Sequence, residues 1–252
     1  MSKDYSNIIF GTRSLLEALD AGKEIEKVMF RKGSVNSEVM EHLRRRVADE
    51  HIPFQYVPVE KLNSVTRKNH QGVVAFVSAI SYSDIDFILP ALFEKGKVPL
   101  LLYLDQVSDI RNFGAIARTA EFAGVNAIII PYRGSALINA DAVKTSAGAL
   151  HRIPVCRVEE PKEAITYLKR SGLEIFAASE KATSNLYDVN LNVPATIIMG
   201  SEDKGVSDSL LSLADHEISI PRSGSISSLN VSVAAGILIY EATRQRRIAE
   251  SS

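Results

Sequence analysis

The sequence predicts an α/β protein in two parts: a smaller alternating α/β unit, then a larger domain on a parallel sheet covered by helices. Three observations carry this. From Val98 onward, short and uniformly apolar runs alternate with helical patterns, as expected of strands buried on both faces. Residues 1–80 alternate strand and helix signals on a smaller scale. Between the two, residues 81–97 carry Pro90 inside a helical pattern and then a charged Gly/Pro run, GKVP, which reads as a linker before a domain at 98–252.

Composition permits this architecture and excludes others. A chain of 252 residues with 46% hydrophobic content can build full cores. No segment approaches the ~18 uncharged apolar residues of a membrane span. The opening MSKDYSNIIF lacks the basic-then-apolar order of a signal peptide, so a cytoplasmic protein is expected. A single cysteine, Cys156, rules out an internal disulfide and argues against a thiolate metal site. The net charge of −1 neither supports nor excludes a nucleic-acid partner, which would need locally clustered base.

In chain order, Thr12 is the expected cap of a helix carrying Leu15, Leu16 and Leu19, which Gly22 stops. IEKVMF (25–30) alternates as a strand. Asn36 or Ser37 then caps a helix through Val39, Met40, Leu43 and Val47. FQYV (54–57) is a strand, PVEKLNSVT a short helix and GVVAFVSA (72–79) a buried strand. In the second part, VPLLLYL, NAIIIP, IPVCRV, EIFAAS, ATIIMG and HEISI are the strands. Helices are expected near 112–124, 139–149, 161–171 and 207–213, and from Asn230 to the end. Arg244, Arg246 and Arg247 would sit by the negative end of that last helix.

Ligands of such sheets bind at the carboxyl ends of strands, which directs attention to three segments. In DQVSDIRNFGAIARTAEFAG (105–124), Asn112 is the expected N-cap, Phe113, Ile116, Ala117 and Ala120 face inward, and Gly124 closes the helix. Arg118 falls off that stripe. Arg111 and Arg118 are either solvated charges or a pair of cations flanking an anionic substrate. In IIMGSEDKG (197–205), Gly200 after a buried strand permits close approach to the backbone and Gly205 permits a turn back. The G-x-x-x-x-G spacing imitates a phosphate loop, but Val206 stands where its lysine would be, and Glu202 and Asp203 repel phosphate. In IPRSGSISSLNVSVAA (220–235), serines and Asn230 surround Gly224 and feed a nearly uncharged helix. They serve either a polar ligand or only a helix cap.

Other chemistries lack their residues. No two of the 14 glycines stand two apart, which removes the G-x-G-x-x-G fingerprint. The five histidines show no metalloprotease or finger spacing, and no G-x-S-x-G elbow occurs.

RNFGAIARTAEFAGV (111–125), MGSEDKG (199–205) and IPRSGSISSLNVSVAAGILIYEATRQR (220–246) resemble, in order and spacing, the three motifs of the SpoU-type RNA ribose 2′-O-methyltransferases of the SPOUT superfamily. KTSAGAL (144–150), HQGVVAF (70–76) and FGTRSLLEAL (10–19) are similar to further family segments, the early ones to a ribosomal-protein-like RNA-binding domain. The resemblance implies a trefoil-knotted catalytic domain, S-adenosylmethionine as methyl donor, no metal, and a homodimer with active sites near the interface. Its nearest branch methylates a guanosine of 23S rRNA, with no role for DNA or membrane. Asn112, Arg118, Glu202, Ser228 and Asn230 fall on the catalytic positions. Gly200, Ile220 and Leu229, with Ala178 and Ser179 as further neighbours, fall where the donor binds. In this reading Arg13, Arg44, Arg45, Arg46, Arg67, Lys68 and Arg111 are the candidate RNA contacts. A tRNA substrate, or a non-catalytic RNA-binding or assembly role on the same fold, are the alternatives.

Overall fold

The computed structural model describes residues 7–33 and 37–250, and Asn36, one of the two expected caps, lies outside them. The chain divides into two compact units, one of residues 1–81 with 137–140, the other of 82–136 with 141–252.

The first unit holds a four-stranded sheet of β1 (Ile8–Phe10), β2 (Ile25–Arg31), β3 (Phe54–Val57) and β4 (Val73–Val77), in the order β1-β4-β2-β3. β4 runs antiparallel to β1 and β2, while β3 lies parallel to β2 as the outer strand. Helices α1 (Thr12–Asp20) and α2 (Glu38–Asp49) supply Leu15, Leu19, Leu43 and Val47 to one face of the sheet. On the other face, α3 (Val59–Val65) buries Leu62 against Met29, Val57 and Val74. Ser37 caps α2, its hydroxyl accepting from Met40 N–H at 3.2 Å. Thr12 does not cap α1. Gln71, held at φ 50°, reaches over instead, its Oε1 accepting from Thr12 N–H (3.2 Å) and hydroxyl (3.0 Å).

The second unit is a seven-stranded, wholly parallel sheet in the order β7-β6-β5-β10-β8-β11-β9. Its elements follow in sequence: α4 (Ile85–Glu94), β5 (Leu100–Leu104), α5 (Ile110–Ala123), β6 (Ala127–Pro131), α6 (Ala140–Thr145), β7 (Val155–Val158), α7 (Pro161–Arg170), β8 (Glu174–Ala178), β9 (Ser184–Asn185), β10 (Ala195–Met199), α8 (Asp208–Leu211), β11 (His216–Ser219) and α9 (Val231–Glu250). Every residue of β5, β6 and β10 is buried, which is why their sequences do not alternate. The stretch read as a linker carries α4, whose Ile85 and Leu89 lie in this unit's core. Cys156 is buried in the same core, and burial pushes its thiol up to about 12.

Two further sequence expectations change here. The helix near 139–149 ends at Thr145, because Ala147 (φ 51°) and Gly148 (φ 84°) turn the chain before a short 3-10 helix at Ala149–His151. The C-terminal arginines do not merely neutralise a helix end. Arg246 donates to the carbonyls of Leu191 (3.1 Å), Val98 (2.6 Å), Pro99 (3.0 Å) and Val193 (2.6 Å), and burial draws its guanidinium down to about 10. Beside it, Gln245 accepts from Leu191 N–H (2.7 Å) and donates to Val189 O (3.0 Å). The end of α9 is thus tied to the chain entering β5 and β10. Arg246→Met should cost about 2–3 kcal/mol, since the carbonyls lose a charged donor that methionine cannot replace. A lower denaturant midpoint at unchanged slope is the expected readout.

Candidate active site

β5 and β10 are neighbours in the sheet, but the chain leaves β5 towards β6 and leaves β10 towards β11, on the opposite side. Loops diverge at such a switch point and leave a crevice beyond the carboxyl ends of the strands. The segments after β5, β10 and β11 provide the site.

After β5, the helix begins earlier than the sequence suggests. Asp109 is the N-cap, its Oδ1 accepting from the N–H groups of Arg111 (2.9 Å) and Asn112 (2.8 Å). Asn112 is therefore inside the first turn, and its amide is released from capping. At the far end Gly124 adopts the left-handed conformation (φ 85°) expected of it. The inward stripe includes Gly114, where a Cβ would stand 2.7 Å from Thr145 Cβ, so α5 lies hard against the end of α6.

After β11, Asn230 caps the 20-residue α9: its Oδ1 accepts from Ser232 N–H (2.9 Å) and hydroxyl (2.5 Å). With the oxygen so committed, Nδ2 points the other way. It donates to Glu202 Oε1 at 2.5 Å and to Asn112 Oδ1 at 3.0 Å. The carboxylate can only accept, so this orientation of the amide is the one the chemistry requires. Glu202 Oε1 also accepts from Val231 N–H at 3.4 Å, at the start of α9. Three side chains from three separate segments thus form one chain of hydrogen bonds. Asn112 Nδ2 has no partner among the described residues and remains to donate to a ligand.

The loop after β10 is held rigidly. Ser201 and Gly205 exchange backbone hydrogen bonds (3.2 and 2.9 Å), and a Cβ on Gly200 would fall 1.9 Å from Gly205 C. The close approach anticipated at Gly200 is thus made by the loop's own backbone. Asp105, buried at the end of β5, anchors the loop's other end by accepting from Ser207 N–H at 2.8 Å. Neither Asp105 nor Asp109 stood out in sequence. The available signal was an aspartate placed immediately after an apolar strand or just before a helix.

The remaining expected residues are placed differently. Ser228 is exposed and makes no hydrogen bond to the cluster among the described residues. Arg118 is also exposed, and it lines an open recess of about 470 Å³ with Phe122, Arg152 and Tyr240. Six residues on from Asn112, it lies ~240° around α5 and ~9 Å along it. One chain does not bring Arg118 to the Asn112–Glu202–Asn230 cluster. Ala178 and Ser179 are occupied in part by the sheet, Ala178 pairing with Ile218 and Ser179 N–H donating to Ile218 O at 3.0 Å. Arg111 is exposed beside Asn112.

Of the N-terminal cations, Arg13, Arg45, Arg67 and Lys68 are exposed. Arg46 is engaged by Asp20 (2.9 Å) and Glu50 (2.6 Å), which neutralise it, and Arg44 lies over aromatic rings. His70 is structural: it accepts from Gly72 N–H at Nδ1 (3.0 Å), so Nε2 carries the proton towards Asn63 Oδ1 (3.0 Å).

Residues 99–240 match the model of the SpoU rRNA Methylase family. The chain belongs to that family. Residues 8–83 match a second model, described as RNA 2′-O ribose methyltransferase substrate binding. A Bacillus subtilis protein named YacO, described as a TrmH family tRNA/rRNA methyltransferase, is 32% identical over 98% of both chains. The SpoU methyltransferase AviRb of Streptomyces viridochromogenes, solved in complex with AdoMet, is 25% identical with a TM-score of 0.59, covering 96% of this chain and 90% of its own. The TrmH/SpoU tRNA-modifying enzyme of A. aeolicus is 32% identical with a TM-score of 0.56, over 66% of this chain and 85% of its own. As a SpoU methylase, the chain is an RNA 2′-O-methyltransferase.

The loops of this SpoU methylase leave several peptide groups open at the ends of the strands. The ladder between β10 and β8 ends at Ile198 and Ala177, and beyond it Gly200 is buried with no backbone hydrogen-bond partner among the described residues. A buried peptide group without a partner is rare unless a ligand or water completes it. The peptide groups of the half-buried Ile220 and the exposed Leu229 also have no backbone partner among the described residues. Ile226 and Leu229 stand exposed on the adjoining loop.

Proposed function

We propose that this protein methylates the ribose 2′-hydroxyl of a guanosine in 23S rRNA and acts in the cytoplasm as a homodimer. The observation that carries the reading is the Asn112–Asn230–Glu202 chain of hydrogen bonds, which joins the three motifs at one point. A ribosomal substrate is favoured by the first unit, matched over residues 8–83 by the substrate-binding model, while the tRNA-modifying enzyme covers 66% of this chain.

The bound donor supplies an electrophilic methyl carbon on a sulfonium. The protein must then align the 2′-oxygen and provide for loss of one proton. Asn112 Nδ2 donates to the incoming ribose or its phosphate, and Asn230 and Glu202 fix the rotamer from which it does so. Gly200, Ile220 and Leu229 offer peptide groups to the donor, with Ala178 and Ser179 alongside, and Ser228 offers its hydroxyl to the ribose. Arg118 is a poor base, because a guanidinium stays protonated. It stabilises the developing alkoxide or the neighbouring phosphate, while the proton passes to water or to another group.

Since Arg118 is remote from the cluster in one chain, it reaches the active site of a second copy. Phe122, 78% exposed on α5, and Tyr240, 46% exposed on α9, border it and give such a dimer an apolar contact. Arg13, Arg67, Lys68 and Arg111, with Arg45 in a loose 4.0 Å pair with Glu41, meet RNA phosphates, while Arg46 is spent on its carboxylates. The family's trefoil knot accords with the way Arg246 and Gln245 tie α9 to the residues before β5 and β10.

Mapping 2′-O-methyl positions in 23S rRNA and tRNA from cells with and without the gene tests the substrate. One guanosine in 23S rRNA should lose its mark and regain it with the wild-type gene but not with Arg118→Ala. Loss of a tRNA mark alone would replace rRNA by tRNA in this reading.

A further inference from the structure

The first unit carries a feature that phosphate binding does not use. β3 is one of the two outer strands of its sheet, and Phe54 and Tyr56, two residues apart and so on one face, are 46% and 45% exposed. Their rings meet edge to face at 5.9 Å. Both pack on the buried Phe30, at centroid distances of 6.0 and 5.9 Å. From α2, the Arg44 guanidinium lies 5.7 Å from the Tyr56 ring and 5.9 Å from that of Phe30.

Outer strands usually carry charge or proline to prevent pairing. This one displays half-exposed rings, fixed from below by Phe30 and from the side by a cation. Its backbone is an unsuitable template for another protein strand, being four residues long and bounded by Pro53 and Pro58. Cations adjoin it as well: Arg45 is exposed next to Arg44, in a loose 4.0 Å surface pair with Glu41, and the exposed Lys32 donates its backbone N–H to Val57 O at 2.8 Å. Rigid aromatic faces interleaved with cations are the means by which proteins hold unpaired bases.

We propose that Phe54, Tyr56 and Arg44 form a stacking site for unpaired bases of single-stranded RNA, with Arg45 and Lys32 taking the adjoining phosphates. This rests on the reading of the chain as an RNA-modifying enzyme and adds to it where unpaired segments of the substrate are held. Stacked bases contribute affinity with little sequence preference, so the site selects single-stranded over duplex RNA.

The test uses the full chain and a fluorescently labelled single-stranded RNA decamer, with binding followed by anisotropy at fixed salt. Tyr56→Ala and Phe54→Ala should each weaken binding about 10-fold with the salt dependence unchanged, and Tyr56→Phe should bind as the wild type does. On the methylation substrate, Tyr56→Ala should raise KM and leave kcat unchanged. In the wild type, a 4-thiouridine decamer should crosslink to the peptide bearing Phe54 and Tyr56, a readout independent of how the variants fold. Unchanged affinity in both alanine variants, or crosslinks confined to other peptides, would overturn the stacking site while methylation by the wild type leaves the enzymatic reading standing. Altered self-association of the variants without a change in RNA affinity would make the edge a protein contact and would also overturn it. A wild-type chain that methylates no RNA would count against the enzymatic reading itself.

Discussion

Asn230→Ala is expected to lower kcat for RNA methylation by roughly 100- to 1000-fold, the scale set by removal of one preorganised polar group from a reacting centre. The loss is large because this one side chain has two tasks. Its oxygen closes the first turn of α9 on Ser232, and its NH2 group joins Glu202 to Asn112. Alanine removes the cap and frees Asn112 to adopt rotamers that no longer face the substrate. Cap loss alone costs about 1 kcal/mol, or a fall of about 2–4 °C in melting temperature for a domain of this size. Activity should therefore fall far more than stability, as single-turnover methyl transfer and thermal melting in parallel would reveal. Aspartate at 230 would keep the cap but lose the donor, and should be nearly as inactive.

Gly200→Ala is expected to prevent accumulation of folded protein, or to leave a chain without donor binding. The obstacle is backbone, not a side chain that can move. The new Cβ would lie 1.9 Å from Gly205 C, 2.0 Å from Val206 N and 2.1 Å from Gly205 O. Relief requires opening the Ser201–Gly205 hairpin and shifting Ser207 off Asp105. Two other glycines calibrate the result. Gly205→Ala has open space but a φ of 70°, a penalty of about 1–2 kcal/mol. Gly224→Ala meets nothing within 4 Å and should be close to neutral. Soluble yield, thermal melting and calorimetric titration with S-adenosylmethionine should rank the three in that order.

Much of the fold was legible because the physics is local. β5, β6 and β10 are buried on both faces, so their sequences are unbroken apolar runs that need no tertiary knowledge to recognise. Where length gives no pattern, legibility ends: β1 has three residues and β9 has two, too few to display a period. The cap of α5 was misplaced because Asp109 and Asn112 have the same capping chemistry. What separates them is backbone conformation, extended at Asp109 (φ −76°, ψ 123°) and helical three residues on.

The candidate active site was legible only through the family resemblance. Asn112 and Asn230 are 118 residues apart, and no spacing rule connects them. Glu202 looked like a group that repels phosphate. In the structure it orients an amide from the positive end of a helix, a role set entirely by where α9 begins. The separation of Arg118 from Asn112 along and around α5 follows from their six-residue spacing in one helix.

The central claim is that Asn112, Glu202 and Asn230 act as one unit in methyl transfer to a ribose. It is tested most directly by the single-turnover rate and position of label transferred from S-adenosylmethionine to a 23S rRNA transcript, for the three alanine variants and for the triple variant. Residues that act as a unit are non-additive, so each single variant should lose nearly as much as the triple, and wild-type label should reside on a 2′-oxygen. Losses that multiply from variant to variant, or label recovered on a base instead of a ribose, would contradict it.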